Sequence, residues 1–132
     1  MTNPIALSTA LAAFQDLWSP RILTHVNDYD VRLAKVRGEF IWHTHTDTDE
    51  FFLVLEGEVG IGLREDGAER VVTLPRGSVF VVPRGVEHRP FSAAGASVLL
   101  FEPTGTVNVG DAHEEVPGHI TATTGERLGG AG

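Results

Sequence analysis

The sequence of 132 residues contains no cysteine. This absence excludes disulfide frameworks, zinc ribbons, iron–sulfur clusters and thiol nucleophiles. It is compatible with a reducing compartment, and no basic segment precedes Ala6 and Leu7 as a secretory leader would require. No apolar run approaches the ~20 residues that cross a bilayer. The sequence therefore predicts a cytoplasmic protein without a membrane partner.

Positive charge is also scarce, because 10 lysine and arginine residues stand against 18 aspartate and glutamate residues, for a net charge of −8. A protein that grips phosphate backbones normally carries a basic stripe, and the sequence has none. We therefore expect no nucleic-acid partner. The length suits one domain, and 42% apolar residues are enough for a core.

Near the amino terminus, apolar residues recur at a helical spacing. Leu7, Leu11, Phe14 and Trp18 are separated by four, three and four positions, which predicts a helix over residues 8–18 with one apolar face. Pro20 is expected to end it. We interpret residues 1–20 as a helical segment that packs on the main domain.

The following region is rich in short apolar runs separated by Gly, Pro and Asp. Asp66-Gly67 is a strong hairpin signal between two of the runs. Many short strands at regular spacing favour an all-β sandwich or barrel, which we place at residues 21–103. Residues 104–132 show no clear periodicity and are expected to form a C-terminal arm. The predicted strands are Arg21–Val26, Tyr29–Val36, Glu39–His43, Glu50–Leu55, Glu58–Leu63, Glu69–Leu74, Ser78–Val82 and Ser97–Glu102.

The first chemical motif is a pair of histidines followed by a glutamate. On a strand, His43 and His45 point to the same side, because side chains alternate with period two. Glu50 opens the next predicted strand on the face that carries Phe52 and Val54. A carboxylate at the start of an apolar face needs a partner that offsets its desolvation. A cation bound by the histidines would be such a partner.

The second motif contains a third histidine. Pro83 and Gly85 predict a sharp turn, and His88 follows at the start of the next strand. Three imidazoles and a carboxylate suit a divalent ion such as Fe, Mn, Ni or Zn. Four protein ligands leave positions open on an octahedral ion, which favours catalysis or ligand binding over a structural role.

Together these motifs resemble the two motifs of the cupin superfamily. The resemblance rests on Gly38, His43, His45, Glu50 and Gly57 in the first motif, and on Gly77, Pro83, Gly85 and His88 in the second. The form Trp42-His43-x-His45 followed by Asp49-Glu50, with Glu102-Pro103-x-Gly105-Thr106 after the last strand, looks like small single-domain bacterial cupins of the conserved-barrel type. Those are often labelled mannose-6-phosphate isomerase-like. One departure is the spacing of four residues, instead of the commoner five, between Gly38 and His43. The resemblance implies a double-stranded β-helix, or jelly-roll barrel.

The resemblance also implies a function. The expected protein is a metal-dependent enzyme acting on a small polar metabolite, either a dioxygenase or an isomerase or epimerase. His43, His45, Glu50 and His88 would bind the metal and carry the reaction. A cupin that binds a small molecule without turnover is the alternative. Related small cupins also pair, so we expect a homodimer, with the N-terminal helix and the arm after Glu102 as candidate contacts.

Other polar residues offer weaker candidates. Asp47 and Asp49 are alternative carboxylate ligands, but their loop position favours Glu50. Arg84 and Arg89 lie beside the second motif and are candidates to bind an anionic substrate. The histidines outside both motifs are expected to be solvated or hydrogen-bonded rather than metal ligands: His25, His113 and His119.

Overall fold

The computed structural model describes residues 3–112 and 115–128. These residues form a short helix and a set of mainly antiparallel strands. The elements are α1 (Leu7–Ala12), β1 (Arg21–Val26), β2 (Tyr29–Glu39), β3 (Glu50–Gly57), β4 (Val59–Glu65), β5 (Ala68–Leu74), β6 (Val79–Val82), β7 (Glu87–Pro103) and β8 (Glu126–Arg127).

Strand β7 connects the two layers of the barrel. Its first half pairs with β4, and β4 pairs with β5. Its second half lies between β2 and β3. On their other edges, β2 pairs with β1 and β3 pairs with β6. All of these pairs are antiparallel. Two sheets joined in this way form a jelly roll, which confirms the predicted all-β barrel fold.

Side-chain alternation places the core between the two layers. On β3, Phe52 and Val54 are buried in the barrel, whereas Phe51 and Leu53 lie on the outer face and are only half-buried. On β4, Ile61 is buried inside the barrel, and the neighbouring Gly60 and Gly62 are also buried, beneath the rings of Phe91 and Trp42. Period-two burial like that of β3 is what fixes the strand register, because a slip of one residue would turn every apolar side chain to the wrong face.

The N-terminal helix is shorter than the predicted span of residues 8–18. It ends at Ala12, and the chain then runs beside β2, where the Trp18 backbone N–H donates a hydrogen bond of 2.8 Å to the Lys35 carbonyl. The Trp18 ring enters the barrel and stacks on Phe40 with centroids 4.9 Å apart. These contacts with other parts of the barrel fix Trp18 in a non-helical position, although the spacing of the apolar residues is helical. Leu11 and neighbouring apolar residues pack on Leu33, on the outer face of β2.

The chain after β7 returns to the barrel. Val109 and Ile120 are buried in its core, and β8 pairs with β1 in parallel. Within the described residues, no helix is long and apolar enough to cross a membrane.

Replacement of Leu33 tests the packing of α1. Leu33 is fully buried beneath the helix, so Leu33→Ala should lower the free energy of unfolding by about 2–5 kcal/mol. Val71→Ala is the matched control, because Val71 is 58% exposed and its truncation should change stability by no more than about 0.5 kcal/mol. Urea denaturation measures both. Equal effects would contradict the packing described.

Candidate metal centre

Two strands and the connection between β2 and β3 bring the predicted ligands together. Glu50 is the first residue of β3, and His88 is the second residue of β7. His43 lies opposite His88, and the two residues exchange backbone hydrogen bonds of 3.0 and 2.9 Å. His45 follows two residues later on the connection to β3. All four side chains are buried.

The donor atoms converge on one carboxylate oxygen. Oε2 of Glu50 lies 2.8 Å from Nε2 of His88, 2.9 Å from Nε2 of His45 and 4.0 Å from Nε2 of His43. One ligand atom from each of the four residues lies within 4.8 Å of the other three. This cluster could hold a metal ion. Among the described residues, Nε2 of His43 is buried and has no hydrogen-bond partner, whereas Nε2 of His45 is buried against the Glu50 carboxylate.

The histidine tautomers support cation binding. Nδ1 of His43 lies 2.9 Å from the Ile41 carbonyl, and Nδ1 of His88 lies 2.9 Å from the Val86 carbonyl. A carbonyl oxygen only accepts, so both Nδ1 atoms carry the proton and a neutral ring has its lone pair on Nε2. Lone pairs that face an ionised carboxylate repel it unless a proton or a cation lies between them. The donor set therefore fits a divalent ion.

Burial and nearby charges shift the pKa values of the clustered residues in different directions. Burial, together with the nearby His88, lowers the pKa of His43 to about 3. Burial acts against ionisation of Glu50, but His45 and His88 outweigh it and hold the pKa of this carboxyl well below its usual range. Burial alone would lower the pKa of His45, but the adjacent Glu50 carboxylate raises it. The cluster therefore contains an ionised carboxylate and a neutral His43 at neutral pH.

Two hollows adjoin the cluster. A cavity of about 50 Å³ touches His43 and Glu50, and most of its wall is apolar, including Trp18, Phe40 and Phe52. On the His45 side, a more open groove of about 560 Å³ is lined largely by threonine, glycine and aspartate from the loops at residues 44–48 and 103–111. A bound ion would thus lie between a polar approach and a small apolar recess.

A buried charged network lies on the neighbouring strands, and the sequence analysis missed it. The Arg32 guanidinium donates to Oδ2 of Asp30 at 2.7 and 3.0 Å and to Oε1 of Glu102 at 2.9 Å. Arg32 also donates to the carbonyl of Thr106, and Thr104 donates to Oδ1 of Asp30. The network thus ties the chain after β7 to β2. In the sequence, the signal for this network was the pair Asp30 and Arg32. These two charged residues occupy alternate positions of an otherwise largely apolar run and therefore face the same side of the strand.

Glu102 has one free oxygen in this network. Its Oε2 is buried and has no hydrogen-bond partner among the described residues. Burial, reinforced by the negative charge of Glu50, raises the pKa of Glu102 to about 7. Glu102 is thus a second buried carboxyl group whose charge is felt by the candidate ligands.

The remaining candidate residues lie outside the cluster. Asp47 and Asp49 are exposed, and Asp49 accepts a hydrogen bond of 2.9 Å from the backbone N–H of Arg84. The guanidinium groups of Arg84 and Arg89 face Asp49 and Glu39 at 3.6 and 2.9 Å. Neither arginine contributes to the wall of the apolar cavity. Both arginines therefore form ion pairs at the protein surface.

Two of the isolated histidines have partners of their own. Nδ1 of His25 lies 2.8 Å from Oδ1 of Asp30, and Nε2 of His119 donates to the Glu39 carbonyl at 3.3 Å. Neither belongs to the cluster of potential ligands. His113 lies outside the described residues.

A jelly roll with three histidines and a glutamate converging at this position has the architecture of a cupin-type metal site. Comparison with known proteins agrees, because the family model described as "Cupin domain" matches residues 29–102. This range is more than half of the chain and contains all four residues of the cluster. The chain therefore belongs to the cupin family.

Individual relatives extend the comparison. The chain is 40% identical to the uncharacterized protein YdbB of Bacillus subtilis strain 168 over 80 residues, which cover 61% of this chain and 68% of YdbB. A crystal structure of a cupin-2 domain protein from Shewanella frigidimarina superposes with a TM-score of 0.71 at 40% identity, covering 75% of this chain and 93% of that one.

An enzyme is also among the relatives. The chain is 38% identical to the 3-hydroxyanthranilate 3,4-dioxygenase of Xanthomonas campestris strain B100 over 53 residues. The match covers 40% of this chain and 30% of the dioxygenase, so this similarity concerns a part of the enzyme.

Replacement of single ligands tests the metal centre. His45→Ala and His88→Ala should each lower the affinity for Fe(II) or Mn(II) by more than the ~10–100-fold cost of losing an outer partner of a ligand. His119→Ala is the matched control, because His119 is exposed and lies outside the cluster. Anaerobic titration calorimetry measures the affinities. Unchanged affinity in both ligand variants would rule out this site.

Acidification tests whether the pKa of His45 is raised. The pKa of His45 lies above its ordinary value of 6.5 in the metal-free protein, and only the neutral ring binds a metal. Metal affinity is therefore full above this pKa and falls as the pH drops through it, while His43 remains neutral to about pH 3. Binding near pH 6.5 should therefore be accompanied by release of protons from His45. Titration calorimetry in buffers of different ionisation enthalpy measures it, and affinity that is constant from pH 8 to pH 6 would contradict the assignment.

Proposed function

We propose that this protein is a metal-dependent dioxygenase that acts on a small molecule with two neighbouring donor atoms. The observation that carries the proposal is the buried cluster of three imidazoles and one carboxylate beside an apolar cavity. Similarity to a 3-hydroxyanthranilate dioxygenase supports the same reaction class. The hydroxyl and amino groups of that substrate occupy neighbouring ring carbons, which is a chelating arrangement.

The chain's own residues would prepare the site for this chemistry. The Ile41 and Val86 carbonyls fix the rings of His43 and His88, so that each Nε2 is presented to the ion in the correct tautomer. Glu50 would neutralise part of the ion's charge. A divalent iron or manganese ion held here would supply Lewis acidity and open positions for a chelating substrate and O₂.

The surroundings of the cluster bear on the choice of substrate. The groove on the His45 side is polar enough to admit a hydrated, small polar molecule. The apolar cavity is about a third of the ~150 Å³ that holds a benzene molecule, so it would receive O₂ or a small apolar group rather than a complete ring. Trp18 forms part of this wall and would limit the size of the group that enters.

The wall of the apolar cavity offers little for the proton transfer of an isomerase or epimerase, whereas the groove carries Asp47 and Asp111. Similarity to a dioxygenase therefore favours that enzyme class more than the cavity wall does. Proton transfer at a carbon atom needs a positioned acid or base within hydrogen-bond reach of the substrate. Within the described part of the chain, the polar residues in the cavity wall are His43, Glu50 and Asn108. The first two are engaged as candidate ligands, and an asparagine amide does not act as a base near neutral pH.

A cupin that captures a small molecule without turnover is the second candidate. The observation in its favour is the cavity wall, where the described residues include no acid or base besides the candidate ligands His43 and Glu50. The two candidates differ in whether oxygen is consumed.

Oxygen consumption distinguishes the two. Protein loaded anaerobically with Fe(II) should consume O₂ when supplied with a chelating substrate, and a first panel would contain 3-hydroxyanthranilate, catechol and small 1,3-diketones. An oxygen electrode measures uptake, and mass spectrometry detects incorporation of ¹⁸O₂. His88→Ala should abolish uptake, whereas His119→Ala should retain it.

Two results would speak against the dioxygenase. Stoichiometric metal binding without uptake for any chelating compound, together with recovery of an unchanged ligand from the purified protein, would favour the binding role. Uptake that persists in His88→Ala would assign the activity to another site or to free iron.

A further inference from the structure

His45 differs from the other two histidines of the cluster in what holds its ring. Nδ1 of His43 and Nδ1 of His88 each donate to the carbonyl of the residue two positions earlier, at 2.9 Å. The corresponding carbonyl for His45 is that of His43, and it accepts a hydrogen bond from the backbone N–H of His88 instead. His45 also lies between β2 and β3, outside both strands. A different contact must therefore fix the direction of its ring.

Gly110, in the arm after β7, makes this contact. A Cβ atom placed on Gly110 would lie 2.9 Å from Nδ1 and 3.1 Å from Cε1 of His45, and it would overlap the carbonyl oxygen of Thr44. The backbone of Gly110 thus packs directly against the Nδ1–Cε1 edge of the imidazole. Only a residue without a side chain fits beside the ring.

The His45 ring is therefore confined from two directions. Its Nε2 atom lies 2.9 Å from Oε2 of Glu50, and its Nδ1–Cε1 edge lies against the Gly110 backbone. The residue is 6% exposed, so solvent has little access to it. This confinement keeps Nε2 directed towards the other donor atoms of the cluster.

The turn that carries Gly110 is itself fixed in the structure. The N–H of Gly110 closes the turn with a hydrogen bond of 2.9 Å, and the backbone N–H of Asp111 donates to the Thr44 carbonyl at 2.7 Å. Val109 is buried in the barrel core. Gly110 has a φ of +50°, in the left-handed region that glycine adopts without strain. The turn therefore joins the core to the peptide immediately before His45.

We propose that Gly110 is a positioning residue of the metal centre, which sets the direction of the His45 ring by keeping side chains out of the space beside it. The proposal rests on the metal binding assumed in the proposed function. It adds a residue that lies outside the family-matched range 29–102. Gly110 would do sterically for His45 what the Ile41 and Val86 carbonyls do for the other two rings by hydrogen bonding.

A purely structural role in anchoring the arm is the alternative, and the arm contains a matched control. Gly105 also has a positive φ, of +89°, but a Cβ atom there would meet nothing within 4 Å. Gly105→Ala therefore carries the backbone cost of an alanine at positive φ. Gly110→Ala adds the collision with Thr44 and His45. The difference between the two variants isolates the effect on the ligand.

Metal affinity and the ligand count test the proposal together. Affinity for Mn(II), measured by titration calorimetry, should fall at least about 10-fold in Gly110→Ala, as when a metal-bound histidine loses its outer support. It should stay close to wild type in Gly105→Ala. In Cu(II)-loaded protein, electron spin echo envelope modulation counts the bound imidazoles. Wild type and Gly105→Ala should show all three, whereas Gly110→Ala should lack one, as His45→Ala does. A loosened arm alone would not remove a ligand.

Hydrogen exchange in the wild type keeps the proposal testable if Gly110→Ala does not fold. Coupling between two sites is reciprocal, so an ion that holds His45 must also stabilise the turn beside it. Zn(II) loading should slow exchange of the Asp111 amide, which donates to the Thr44 carbonyl. The control is the Thr104 amide of the same arm, which donates to the Asp28 carbonyl and should change little. Nuclear magnetic resonance measures both amides.

Three results would each overturn the positioning role while leaving the metal centre intact. They are wild-type affinity and a full imidazole count in Gly110→Ala, equal weakening in Gly105→Ala, and an Asp111 exchange rate that Zn(II) does not change. A wild type that binds no metal would refute the proposed function and this proposal together. Metal binding without oxygen uptake would refute the dioxygenase alone, and the predicted effects of Gly110→Ala would still support the positioning role.

Discussion

The structure depends on a buried carboxylate that needs a positive partner. Glu50 opens a strand whose following inward residues are apolar, and its Oε2 lies within 4.0 Å of Nε2 in all three histidines. Removing a carboxylate from water costs several kcal/mol unless it is paired. A divalent ion between these groups would satisfy the carboxylate and the unpartnered Nε2 atom of His43 together. The cupin family membership agrees with this interpretation.

The barrel holds these groups in place through β7. One half of this strand belongs to each layer, and His88 lies near its start, opposite His43. Farther along β7, Glu102 lies opposite Asp30, and Arg32 joins their carboxylates. Positioning of the candidate ligands and closure of the barrel therefore depend on the same strand. Changes in the packing of β7 are expected to affect both stability and metal binding.

Much of this arrangement could be predicted from local sequence. His43, His45, Glu50 and His88 lie in motifs with fixed spacing, and Glu50 and His88 lie on strands as predicted. The predicted strand Glu39–His43 is wrong, because β2 ends at Glu39 and His43 is held by an isolated bridge to His88 on the connection to β3. The end of α1 could not be predicted, because it depends on contacts of Trp18 with Lys35 and Phe40 on other strands. The Asp30–Arg32–Glu102 network was missed for a similar reason. Residues 30 and 102 become neighbours only through the register of β2 with β7.

The most direct test of the central claim is a crystal structure of the metal-loaded protein with anomalous data collected at the metal edge. The account predicts one strong anomalous peak about 2.0–2.2 Å from Nε2 of His43, His45 and His88 and from a carboxylate oxygen of Glu50. A peak located elsewhere, or one bound by fewer than three of these residues, would contradict it.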